Sequence, residues 1–112
     1  VQVDKLLMAL DFCISRNRHE ATYAPPRASL SEEAHAAVFA GPNPPKGALL
    51  TRLSDCYRDT KFQGAELSEL EREALDHLRT THCRVAINAM RLIHSVCREA
   101  SQSGLAIYVF CD

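Results

Sequence analysis

The order of apolar and polar positions along the chain predicts helices. Val3, Leu6, Leu7, Leu10, Cys13 and Ile14 recur at helical spacing, which predicts a first helix over residues 3–16. Asp4 near its start and Arg16 and Arg18 near its end suit the helix dipole. Residues 17–28 read as a loop, because the adjacent Pro25 and Pro26 forbid a helix there. A short helix is predicted over 30–39, opened by Ser29 and Glu32 at capping-box spacing and stopped by Gly41-Pro42. Pro42, Pro44 and Pro45 make 41–47 a turn or extended link. A third helix is predicted over 48–60, with Leu49, Leu50, Leu53, Cys56 and Tyr57 on one side.

The longest element predicted runs over 68–101, a stretch without Gly or Pro that opens on a second capping box, Ser68 and Glu71. The β-branched pair Thr80-Thr81 weakens a helix locally. The apolar stripe keeps its phase through that point, however, so one continuous helix is expected. At 100° per residue, Leu67, Ala74, Leu75, Leu78, Val85, Ala89, Leu92, Ile93, Val96 and Ala100 share one broad face. After Ser103-Gly104, the run 105–111 is β-prone and nearly all apolar. It reads as a short strand or a packed tail, but a strand needs a partner and the sequence shows no obvious second one. The expected fold is therefore a single all-α, mostly helical domain over 1–112, a bundle of about four helices with a short apolar tail.

Composition narrows the function classes. Hydrophobic residues make up 46% and charged residues 24%, which is globular usage. A net charge of −1 argues against gripping a phosphate backbone, which needs a clear excess of Lys and Arg. No run of 18 apolar residues exists to span a membrane, and Asp4, Lys5 and Asp11 interrupt the apolar start that an export signal requires. The cysteines, five in number, are irregularly spaced, which predicts free thiols in a reducing, cytoplasmic setting.

Candidate contact residues lie on the long helix. Arg84, Asn88, Arg91, Ser95 and Arg98 fall on a polar face, with the arginines seven apart and so in line. Cys83, Ile87, Met90, His94 and Cys97 form a further row at its edge. Charge is also segregated along the axis. Glu66, Glu69, Glu71, Glu73 and Asp76 crowd the first turns, and Arg79, Arg84, Arg91 and Arg98 follow. Dipole matching acts mainly in the terminal turns. Two copies packed antiparallel, with Glu69, Glu73 and Asp76 of one opposite Arg84 and Arg91 of the other, would pair the remaining charges.

Catalytic and metal chemistry is less well supplied. His94-x-x-Cys97 places two soft ligands on one face, but the Cys-x-x-Cys pairing of structural zinc sites is missing, so no metal or other cofactor is expected. The glycines are scattered, so no phosphate loop forms. No nucleophile–base pair or paired carboxylates stand out, and an enzyme is not expected.

The stretch Leu67-Ser68-Glu69-Leu70-Glu71-Arg72-Glu73-Ala74-Leu75 resembles the opening of the helix-turn-helix domains of LuxR-type response regulators and sigma-factor region four. That resemblance implies a turn with glycine and a second, DNA-reading helix. Here the chain continues as Arg79-Thr80-Thr81-His82-Cys83-Arg84-Val85-Ala86 without the glycine, so no DNA-contact residues carry over. A break near Thr80 would place Arg84, Asn88 and Arg91 along a second helix.

The function expected from these features is stoichiometric: a small non-enzymatic regulator, adaptor or inhibitor that binds a protein partner through the long helix, as a homo-oligomer. The apolar face and tail, larger than a small monomer covers, point the same way. The alternatives are an anionic small molecule or nucleotide held by the arginine row and, third, a helix-turn-helix-like DNA-binding regulator.

Overall fold

The computed structural model describes residues 10–55 and 58–111. It is a mixed α/β fold and not an all-α bundle: five helices accompany a four-stranded antiparallel sheet among the described residues. The chain runs β1 (Leu10–Ser15), α1 (Arg18–Tyr23), β2 (Ala28–Leu30), α2 (Glu32–Phe39), α3 (Ala48–Thr51) and a 3-10 turn (Arg52–Ser54). It continues through β3 (Thr60–Phe62), α4 (Ala65–Thr80), α5 (Arg84–Ser103) and β4 (Ala106–Cys111). The sheet order is β2-β1-β4-β3, so the first and last strands are its centre.

The helix expected over 3–16 is, in its described part, the strand β1. Phe12 pairs with Val109 and Ile14 with Ile107, facing α5, while Cys13 pairs with Tyr108 on the opposite face. Phe12 is 1% exposed and Cys13 2%. A strand buried on both faces loses its polar alternation and is not separable from a helix by periodicity alone. Residues 3–9 of that expected helix lie outside the described residues. The apolar tail is β4, and its missing partner is β1.

Other boundaries shift for local reasons. The loop expected over 17–28 holds α1, whose Asn17 side chain accepts from the Glu20 amide at 2.8 Å. The cap of α2 is Ser31, accepting from the Ala34 amide at 3.1 Å; Ser29 instead donates from β2 to Asp11 of β1. The helix expected over 48–60 stops at Thr51 and passes through the 3-10 turn towards β3. Cys56 and Tyr57, placed on its apolar side, lie outside the described residues.

The helix expected over 68–101 begins at Ala65, so Ser68 caps nothing, and it breaks at Thr81. The Thr80 hydroxyl donates to the His77 carbonyl, and the Cys83 amide reaches the Thr81 hydroxyl at 3.4 Å. Such local bonds offer the backbone an alternative to the helical ladder. The stripe is not in phase across the break. Leu67, Leu70, Ala74 and His77 are buried on α4, and Ala86, Ala89, Met90, Ile93, Val96, Cys97 and Ala100 on α5. These two stripes are offset by roughly a third of a turn at 100° per residue. Val85, assigned to the apolar face, is 38% exposed.

The two helices fold back on each other. Glu71 near the middle of α4 meets His94 near the middle of α5 across the short 81–83 link, so the pair forms an antiparallel hairpin. Helix α5 lies across β1, β2 and β4 and also packs on α2, while α1 covers part of the other sheet face through Ala21. Gly104 ends α5 in the left-handed region at φ 70°, and the Leu105 amide closes back on the Ala100 carbonyl at 3.0 Å. Among the described residues, only Tyr23 and Val85 are exposed large apolar side chains, so the sheet covers the face that the sequence left uncovered.

Phe12→Ala is expected to lower the unfolding free energy by about 3–5 kcal/mol. Urea denaturation followed by circular dichroism measures it; a loss well under 1 kcal/mol would contradict the central position of β1.

Candidate functional site

Two regions carry chemistry that the core does not use. The first is the outer face of α5. Arg84, Asn88, Arg91, Ser95 and Arg98 are all exposed, opposite the stripe that packs on the sheet. Successive arginines of the row are two helical turns apart, about 10.5 Å at the usual rise. Arg84 and Arg91 form no ion pair or hydrogen bond with a described residue. Arg98 approaches Glu71 at 3.9 Å, beyond hydrogen-bond distance.

The acidic residues expected to pair with a second copy have partners within the chain. Arg72 bridges Glu69 and Asp76 on its own helix, and Asp76 also meets Arg79 at 3.2 Å. Glu73 is buried. The antiparallel meeting of the acidic and basic halves occurs inside one chain, where Glu71 meets His94 at 2.8 Å.

The His94–Cys97 pair sits where α5 meets α4. Cys97 is wholly buried, and desolvation, with the Glu71 charge adding to it, pushes its thiol up to about 12. A thiol so raised carries negligible thiolate at neutral pH, so it is not an activated nucleophile. Burial likewise raises Cys13, with Asp11 contributing. Among the described residues, no group of three or more His, Cys, Asp or Glu side chains could hold a metal ion.

The second region was not foreseen as a site. A cleft of about 380 Å³ lies between the 43–47 turn and α4, lined by Asn43, Pro44, Lys46, Gly47, Arg72, Glu73, Asp76, His77 and Thr80. Its wall holds two buried polar residues one helical turn apart, Glu73 and His77, each 7% exposed. The Glu73 carboxylate accepts from the amides of Leu50 at 2.8 Å and Leu49 at 3.3 Å. It thereby caps α3, whose N-cap residue Gly47 has no side chain to do so. A Cβ at position 47 would overlap that carboxylate, so a side chain there would push Glu73 off the amides it caps. His77 differs. Its Nε2 is buried without a hydrogen-bond partner among the described residues, and burial alone holds its pKa below the ordinary 6.5.

In the sequence Glu73 stands among the acids expected to pair with a second copy, because a carboxylate at helical spacing among other acids reads as solvated. The available signal was the Glu73–His77 spacing, which continues the stripe of Leu70 and Ala74.

No protein-family model, curated protein or solved structure matches this chain.

Glu73→Ala leaves two amides of α3 without a partner, and a loss of about 1–2 kcal/mol is expected, as for other helix caps. Thermal melts should show it, whereas Glu69→Ala on the exposed side of α4 should leave the midpoint near that of the parent. The His77 shift has a definite sign. Its folded pKa lies below the unfolded one, so the unfolded state binds more protons in acid and stability falls as pH drops below about 6.5. Lys46, Arg72, Glu73 and Asp76 line the same cleft. Urea midpoints from pH 7.5 to 5.5 should fall more steeply for the parent than for His77→Phe; equal slopes would contradict this origin.

Proposed function

We propose that this chain is a non-enzymatic binding protein that acts by stoichiometric contact, using the outer face of α5 against an acidic protein surface. The observation that carries this is the uncompensated pair Arg84 and Arg91, flanked by exposed Asn88, Ser95 and Arg98. Most acids of the neighbouring α4 have cationic partners in the chain, and these two arginines have none among the described residues. Arginine forks suit bidentate contact with carboxylates. Charge and not exposed apolar area marks this face, because the apolar stripe of α5 is covered.

A protein partner is favoured over a nucleic acid by two features. The chain has a net charge of −1, and the break near Thr81 gives an antiparallel hairpin. In a helix-turn-helix the second helix crosses the first at about 90–120°. No helix among the described residues is long and apolar enough to cross a membrane. A reducing, cytoplasmic setting belongs to the same reading, since Cys13, Cys83 and Cys97 are free thiols.

A photo-crosslinking residue at Asn88 or Ser95, in cells expressing the protein, is expected to give one dominant protein adduct. The same residue at Thr22, on the helix across the sheet, is expected to give none. With the captured partner purified, Arg84→Glu combined with Arg91→Glu should raise Kd at least tenfold, and added salt should weaken the parent complex. An unchanged Kd for the double variant would overturn the assignment of this face.

A further inference from the structure

The cleft beside α4 holds polar groups that the fold engages and two that it does not. Glu73 is engaged by the α3 amides, and Arg72 and Asp76 by each other. The Asn43 side-chain amide donates to the Thr80 carbonyl at 3.4 Å, and the Thr80 hydroxyl donates to the His77 carbonyl. What remains is the Lys46 ammonium, with no partner among the described residues, and His77 Nε2. A buried ring nitrogen without a hydrogen bond has lost its hydration with nothing in return, and calls for a partner. The lining also carries the Glu73 and Asp76 carboxylates, so an anion is suited only to the Lys46 end of the cleft, where the ammonium has no partner among the described residues.

We propose that this cleft binds a small organic molecule bearing a carboxylate or phosphate, whose oxyanion pairs with Lys46 while another oxygen accepts a hydrogen bond from His77 Nε2. The volume of about 380 Å³ falls within the roughly 300–1,000 Å³ range of small-molecule sites. Pro44 and Gly47 supply an apolar wall beside the polar groups. The imidazole is neutral near pH 7, so Nε2–H can donate without a second buried charge. To reach a ligand the ring turns about its Cβ–Cγ bond, a broad torsion for histidine. None of the cleft residues belongs to α5, so the site is independent of the arginine face.

The test is a titration of ¹⁵N-labelled protein with inorganic phosphate, ribose 5-phosphate and succinate, following the histidine ring nitrogens and the backbone amides. The expected result is a saturable shift of the His77 ring and of the Gly47 and Thr80 amides with at least one probe. Saturation by the phosphates alone assigns a phosphorylated ligand, and by succinate alone a carboxylate. Lys46→Gln should raise Kd about tenfold, and His77→Phe, checked for folding by its amide spectrum, should abolish saturation. If His77→Phe fails to fold, Lys46→Gln decides alone, since that side chain is exposed. Three outcomes would overturn the proposal: no saturable shift with any probe, shifts confined to Arg84 and Arg91, or a Kd unchanged by Lys46→Gln.

Discussion

The fold depends on one long-range pairing, the six-residue antiparallel ladder between β1 and β4. Its two strands are the centre of the sheet, and each edge strand attaches to one of them, β2 to β1 and β3 to β4. About a hundred positions separate Leu10 from its partner Cys111, and every described helix is inserted between. Closing so large a loop is unfavourable until the apolar faces meet. The return comes from Phe12, Ile107 and Val109 on one side, under α5, and from Cys13, Ala106 and Tyr108 on the other, against α1. The position of α5, and with it the direction in which its arginines point, follows from that face.

Part of this was legible in the sequence and part was not. The Gly41-Pro42 stop of α2, the Gly104 end of α5 and the strand-like run before Cys111 follow from local chemistry, and local chemistry is what a single sequence displays. The exposure of Arg84, Asn88, Arg91, Ser95 and Arg98 on α5 was also legible, because a surface row needs no knowledge of what packs behind it. β1 was not legible, since its neighbours on both sides are remote in sequence and make Cys13 as buried as Phe12. The Thr81 break was not legible because apolar residues keep helical spacing across it, although Val85 is exposed and the buried stripe of α4 passes through Glu73 and His77. Buried polar residues imitate surface positions, so the cleft was hidden by the same groups that line it.

The two helices of the hairpin divide the polar work. Helix α5 buries a wholly apolar stripe and leaves its charges outside, as a surface helix does. Helix α4 brings a carboxylate and an imidazole into its buried stripe. The carboxylate accepts from two amides of α3, which makes it a structural joint between α3 and α4. Nε2 of the imidazole one turn later is matched by none of the described residues. One helix face therefore holds a satisfied and an unsatisfied polar group side by side, and that contrast separates a packing role from a binding one.

The joint between Gly47 and Glu73 also bears on how the chain can change over generations. A side chain at 47 displaces the carboxylate, and a shorter residue at 73 strands the amides that Gly47 leaves uncapped. An Asp, Ser or Thr at 47 could cap α3 itself, but only where position 73 no longer reaches in. Each substitution is harmful alone and tolerable with the other, so the two sites are expected to drift as a pair, through intermediates less fit than either end.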